Sequence, residues 1–388
     1  MDPMRAQRLT ALPPYLFTEI DRQRSQAVAA GHDVIDLGVG DPDLPTPAFI
    51  VARLAEAARN PATHRYPLGI GLPELREEIA KWFASRFGVS LDPNTEVLIL
   101  IGSKEGLGHL PLALVDPGRT VLVPDPGYPV YQSATVFAGA RPYSMPLAAD
   151  HGWLPDCTAI PAPVRRDARL MFLNYPNNPT TAVADLPALQ RIVSFAREFN
   201  MLIAQDAAYG ELYFESRPPS ILQVPEAKEI AVEFHSFSKT FSMAGWRIGF
   251  AVGNAEILAA LAQVKSNLDS GTFQAVQLAA LHALRQVDHP EVGGLRDVYR
   301  RRRDAFCSGM RRCGFELATP QATFYAWCRC PSGYDSMGLA ARILADANVV
   351  LIPGVGFGKA GEGYVRAALT VSQERIEEAV ERIGRLHL

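Results

Sequence analysis

The strongest constraint on the fold is a series of short runs, apolar at nearly every position, at residues 97–101, 120–123, 169–173, 201–204, 230–234 and 248–252. Several lack any polar alternation, as expected of strands covered on both faces. Helical stretches lie between many of them, at 105–114, 186–199 and 255–265. Strand and helix in alternation predict an α/β architecture, a mostly parallel open sheet wound by helices. The last hundred residues differ. A helix is expected over 293–312, with Leu295, Val298, Tyr299, Phe306 and Met310 on one side. A strand at 322–329, a helix at 337–347 and strands at 349–352 and 364–371 follow, an α+β pattern. A further helix is expected over 18–30, after the proline-rich Leu12-Pro13-Pro14. The expected division is an N-terminal arm and helix at 1–30, a small α+β domain from 31–50 and 285–388, and a large domain at 51–284.

Composition narrows the class. Hydrophobic residues make up 48% of the 388 and charged residues 20%, which excludes bulk disorder. Lysine and arginine number 38 against 41 acidic residues, a net charge of −3, which argues against a nucleic-acid or membrane-surface partner. The longest apolar stretches fall far short of the ~20 residues that cross a bilayer. Arg5, Arg8, Glu19, Asp21, Arg22 and Arg24 interrupt any signal-type apolar core near the start. Five cysteines without a Cys-x-x-Cys pair suit a reduced compartment, so a cytoplasmic location is expected.

Familiar catalytic signatures are missing. Gly38-Val39-Gly40 runs into Asp41-Pro42, and Gly354-Val355-Gly356 has Lys359 where a third glycine belongs. The eight histidines show no metal-ligand spacing, so no metal is expected. The informative stretch is Phe234-His235-Ser236-Phe237-Ser238-Lys239-Thr240, followed by Gly245-Trp246-Arg247. It starts where a buried strand ends, the edge at which open α/β sheets gather ligands. The Lys239 amine can form a Schiff base with an aldehyde while Ser236, Ser238 and Arg247 hold a phosphate. Alone, the stretch reads more simply as a loop lysine beside turn serines. Three other clusters bear on the choice. Asp206 and Tyr209, after another buried strand, offer a carboxylate for a protonated ring nitrogen and a phenol for a ring oxygen, although an aspartate there is more often a helix cap. Asn174-Tyr175-Pro176-Asn177-Asn178-Pro179-Thr180 is by itself a turn. Ser103 and Lys104 open a helix, which is either a phosphate site or an ordinary N-cap.

Taken together, Asn-Asn-Pro-Thr, Asp-x-x-Tyr, Ser-x-Ser-Lys-Thr and Gly-Trp-Arg-Ile-Gly, in this order and spacing, resemble the class I/II aminotransferases, pyridoxal-5′-phosphate enzymes of fold type I. The likeness extends over nearly the whole chain. Within that family Tyr15-Leu16-Phe17, residues 40–47, residues 124–131, Phe234-His235-Ser236 and residues 264–271 are most similar to the LL-diaminopimelate aminotransferases. The resemblance implies exchange of an amino group between an amino acid and a 2-oxo acid. The substrates it points to are LL-diaminopimelate or tetrahydrodipicolinate with glutamate or 2-oxoglutarate, in lysine biosynthesis. Alanine, aspartate, methionine or aromatic donors, and β-C–S elimination, stay open as alternatives.

The same resemblance implies the site residues. Lys239 would carry the cofactor and move the substrate proton, Asp206 would keep the ring nitrogen protonated, and Tyr209 and Asn178 would bind the ring oxygen. Tyr128 would stack on the ring. Ser103, Lys104, Ser236, Ser238 and Arg247 would hold the phosphate, with Tyr66 reaching over from a second subunit of a homodimer. Arg366, on a strand whose alternation sets it opposite Val365, Ala367 and Leu369, would bind the substrate carboxylate with Gly40 and Asn178. Tyr15 would also contact substrate. Three further expectations concern structure. Gly354–Gly358 should be a flexible loop at the same cleft, the run Arg300 to Arg303 a solvated helix face, and Cys328 and Cys330 neither metal ligands nor a disulfide.

Overall fold

The computed structural model describes residue 4, residues 6–12, 16–67 and 69–388. Pro13, Pro14 and Tyr15 lie outside the described residues. The strands, in chain order, are β1 (Ile35–Asp36), β2 (Val97–Leu100), β3 (Thr120–Asp125), β4 (Arg141–Pro146), β5 (Ala168–Asn174), β6 (Leu202–Asp206), β7 (Ala231–Ser236), β8 (Gly249–Gly253), β9 (Tyr325–Arg329), β10 (Val349–Val350), β11 (Ile352–Pro353) and β12 (Tyr364–Ala368). Seven of them form one sheet in the order β2-β8-β7-β6-β5-β3-β4. All its pairings are parallel except those of β8, which runs against both β2 and β7.

Two-sided burial explains why these strands show so little alternation. On β5, Leu170 and Phe172 face one core with Leu107 and Leu110, while Met171 and Leu173 face the other with Leu189 and Ile192. Each face is covered by helices, Ser103–Leu114 and Ala255–Leu268 on one side and Leu186–Glu198 on the other. The strand β4 was not expected. It pairs only with β3 at the sheet edge, where prolines such as Pro142 and Pro146 are tolerated, and only Met145 of its side chains is buried.

The smaller unit stacks a three-stranded antiparallel sheet, β11-β12-β9, beside the parallel pair β1 and β10. Its core joins Ile35 and Leu37 to Phe306 and Met310 of the helix Pro290–Arg312, Leu339 and Ile343 of Ser336–Ala347, and the final helix Gln373–Gly384. That last helix buries Ile376, Ala379, Val380 and Ile383, a stripe one face wide, and Ser372 caps its start by accepting the Arg375 amide. The helix Ala48–Ala58 sends Ile50 into the larger core.

Two expectations fail here. Arg302 and Arg303 are not on a solvated face: they are 4% and 5% exposed. Arg302 grips Asp43 with two 2.7 Å hydrogen bonds, and Arg303 donates to Glu215 and to the Pro320 carbonyl. The Gly354–Gly358 segment is no loose loop either. It forms a short 3-10 turn, Gly354–Phe357, with Gly354 and Phe357 buried and the Phe357 carbonyl accepting the Gly127 amide at 2.8 Å. Among the described residues no helix is long and apolar enough to cross a membrane.

Candidate active site

Because β2, β3, β5, β6 and β7 run the same way, the residues that follow them gather at one edge of the sheet. Ser103, Tyr128, Asn178, Asp206 and Ser236 arrive there from those strands, and Arg247 from the residues entering β8. They line a cavity of about 960 Å³, roofed by Tyr325, Ile352, Phe357 and Arg366 of the smaller unit. Lys104, Tyr209, Ser238, Lys239 and Gly40 line it as well.

Lys239 stands on the single helical turn Phe237–Thr240, which Ser236 caps by accepting the Ser238 amide at 3.2 Å. Its Nζ donates to the Gly40 carbonyl at 3.2 Å and lies 5.3 Å from the centre of the Phe324 ring. Burial pulls this amine down to about 8; Asp41 and Asp206 oppose the shift, while Arg247 and Arg366 add to it. Asp206 ends β6 at 5% exposure and caps no helix. Burial pushes its carboxyl up to about 6, and hydrogen bonds from Tyr131 Oη (2.8 Å) and the Ala208 amide (3.1 Å) hold it back. At neutral pH it is therefore chiefly an anion at the cavity floor. Tyr209 exchanges a 2.9 Å hydrogen bond with Tyr325 Oη, and burial raises its phenol well above its ordinary range.

The opposite side is a cradle for an anion. Gly102 precedes the helix Ser103–Leu114 with φ +80° and ψ 152°, a conformation open to glycine. A Cβ there would lie 2.5 Å from Arg247 Nη2, so the missing side chain lets the guanidinium close against the helix start. The Ser103 amide end, the Ser236 and Ser238 hydroxyls and Arg247 together offer the donors that a phosphate needs. Lys104 Nζ stands 5.9 Å from the Tyr128 ring centre.

Arg366 points into the cavity because its strand neighbours Val365 and Ala367 are fully buried in the small core. Its guanidinium donates to Asn178 Oδ1 at 2.8 Å and to the Gly38 carbonyl at 2.7 Å, and lies 4.2 Å from the Tyr325 ring centre and 4.6 Å from that of Phe357. Gly40 passes so near Tyr325 that a Cβ would sit 2.0 Å from its hydroxyl. The donor set fits pyridoxal phosphate. A lowered amine faces an aldehyde, an anionic carboxylate within electrostatic range of that amine suits a protonated ring nitrogen, and the anion cradle suits the phosphate.

Of the residues expected from the sequence, Tyr66 is not brought into its own chain's cavity; it is 89% exposed. Tyr15 lies outside the described residues. Tyr131, Tyr325 and Phe357 were missed. Tyr131 sits in the 124–131 segment already noted and Phe357 in the 354–358 segment expected at the cleft, whereas nothing local marks Tyr325.

The model of the family aminotransferase class I and II matches residues 32–383. An LL-diaminopimelate aminotransferase of Syntrophobacter fumaroxidans is 53% identical over 384 residues, covering 99% of each chain. One from Aquifex aeolicus is 50% identical over 382 residues, 98% of each. Among solved structures, substrate-bound BacF from Bacillus subtilis superposes with a TM-score of 0.94 at 39% identity, over 99% of this chain and 98% of that one. A probable N-succinyldiaminopimelate aminotransferase from Thermus thermophilus gives 0.90 at 38%, over 96% and 100%. An amine, a buried carboxylate and an anion cradle on this sheet edge thus come with likeness across the whole length, and the chain belongs to the class I and II aminotransferases, pyridoxal-phosphate-dependent transferases.

Proposed function

We propose that the chain transfers an amino group between LL-diaminopimelate and 2-oxoglutarate, in the pathway that makes lysine. The observation that carries amino transfer is that Lys239, Asp206 and Arg366 line one cavity. The substrate assignment is supported by several relatives of that name at 48–53% identity over nearly the full chain. In the forward cell direction the donor is glutamate and the acceptor tetrahydrodipicolinate.

Pyridoxal phosphate, when bound, supplies a heterocycle that takes up the electron pair left when the substrate Cα–H bond breaks. Each protein residue has a task set by its position. Arg366 takes the substrate α-carboxylate with two parallel N–H bonds, with Gly40 and Asn178 beside it. Lys239 Nζ, neutral in a useful fraction because of its lowered pKa, would take the substrate Cα proton and hold it for return. Asp206 would keep the ring nitrogen protonated, and Tyr209 and Asn178 would bind the ring oxygen. Ser103, Lys104, Ser236, Ser238 and Arg247 would hold the phosphate, and Tyr128 would stack on the ring.

A homodimer belongs to the same reading. Tyr66, Ile70 and Phe273 are exposed at 89%, 41% and 43%; the Ile70 carbonyl accepts the Ile99 amide of β2, and Gln277, on the helix that follows Phe273, accepts the Leu72 amide at 2.8 Å, which ties the 70–72 segment to that helix. A second copy seated on this surface brings its Tyr66 to the phosphate. Five free thiols suit a cytoplasmic setting. The test is incubation of the loaded protein with LL-diaminopimelate and 2-oxoglutarate, followed by glutamate analysis. Glutamate formation with this donor above aspartate, alanine, methionine and phenylalanine supports the reading. No glutamate from it, or release of pyruvate and ammonia from cystathionine in its place, ends it.

A further inference from the structure

The segment 37–43 crosses the cavity as a strap whose successive carbonyls are held by β12, by the residue Thr370 just beyond it and by Lys239. The Leu37 carbonyl accepts the Ala368 amide at 2.6 Å, that of Gly38 accepts Arg366 Nη2, that of Val39 accepts Thr370 Oγ1 at 2.8 Å, and that of Gly40 accepts Lys239 Nζ. The far end is fixed by Asp43. Arg302, from the helix Pro290–Arg312, places Nη1 and Nη2 on its two carboxylate oxygens at 2.7 Å each, and Nη1 also reaches the Leu369 carbonyl at 3.2 Å. Tyr299 Oη adds a longer bond to Asp43 at 3.4 Å. Arg302 is outside the cavity lining, so it touches neither substrate nor cofactor.

We propose that Arg302 is a positioning residue for substrate binding: its fork on Asp43 sets where the strap stands, and thereby fixes Gly38 and Gly40 against Arg366 and Lys239. A bidentate pair fixes direction as well as distance, which a single point charge does not. The strap meets the carboxylate end common to every amino-acid substrate, so loosening it weakens donor and acceptor alike. The inference rests on the proposed carboxylate role of Arg366, and Arg366→Ala serves as its separate control. If that variant binds substrates like the wild type, the carboxylate reading fails first.

The experiment uses Arg302→Lys, which keeps the charge and loses the fork, and Asp43→Asn, which keeps the shape. The measurements are KM for glutamate and LL-diaminopimelate, the Kd of α-methylglutamate (which has no Cα proton to lose), and the affinity of the apo-protein for pyridoxal phosphate. We expect both KM values and the Kd to rise together by about tenfold, with kcat and cofactor affinity within about twofold of wild type. The double variant should be no worse than either single one. Unchanged KM, or KM, kcat and cofactor affinity failing in step, overturns the proposal. So does failure of both variants to fold, which assigns the pair to stability alone.

Discussion

Tyr131 donates its hydroxyl hydrogen to Oδ2 of Asp206 across 2.8 Å at the floor of the cavity. The bond favours the charged carboxylate, against the burial that pushes it up to about 6. Tyr131→Phe therefore raises that pKa further, and a hydrogen bond to a charged group is worth about 1.5–3 kcal/mol. Less of Asp206 is anionic at pH 6–7, so affinity for pyridoxal phosphate drops there. Well above the variant's raised pKa both proteins are ionised, so the ratio of variant to wild-type Kd should shrink only as the pH passes that value. A fluorescence titration of the apo-protein at several pH values checks it, and a pH-independent ratio would count against the assignment.

Lys239, held down to about 8, makes the second prediction. Only the neutral amine attacks an aldehyde, and the neutral fraction rises with pH until the pKa is passed. The rate at which the apo-protein attaches pyridoxal phosphate should climb about tenfold per pH unit below 8 and level off above it. Borohydride trapping and intact mass give the profile. A midpoint near the ordinary lysine value would show that the amine is not perturbed, and Lys239→Ala should abolish both attachment and turnover.

Gly102 makes a third. An alanine there carries a backbone conformation that costs about 1–3 kcal/mol for a residue with a Cβ, and its methyl group would meet Arg247 Nη2. Gly102→Ala should therefore lower the thermal midpoint of the apo-protein by a few degrees, and, by pushing the guanidinium away from the helix start, weaken pyridoxal phosphate binding as well. Equal affinity would mean the guanidinium has no part in the cradle.

These sites differ in how far local sequence reveals them. Lys239 follows, and Asp206 ends, a strand buried on both faces, so their place at the sheet edge was legible, while their roles came from the family resemblance. The strand β4 was not legible, since an edge strand with two prolines and a single buried side chain has no such signature. Arg302 and Arg303 look like part of an undivided charge run. What buries them is Asp43, 259 residues away, and Glu215, 88 away, and no window along the helix contains those partners. The bonds Tyr131–Asp206 and Tyr209–Tyr325 span 75 and 116 residues and are equally invisible before folding. Arg366 is the intermediate case. Alternation gave its direction correctly, whereas the ring of Phe357 beneath it comes from a segment read as loose and found packed.

That packing sharpens the last prediction. Arg366 is 3% exposed, between the rings of Tyr325 and Phe357, and it is aimed at Asn178 and Gly38. A substrate carboxylate reaching it is therefore desolvated on arrival, where losing a hydrogen-bonded charge pair costs about 2–5 kcal/mol. Arg366→Ala should raise KM for the amino donor and for the 2-oxo acceptor by about thirtyfold or more, because both carry the same α-carboxylate. Arg366→Lys should recover only part of the loss, since an ammonium cannot make two parallel bonds. Steady-state kinetics with each substrate varied in turn decide it. A rise confined to one of the two substrates would place Arg366 at a side chain rather than at the α-carboxylate.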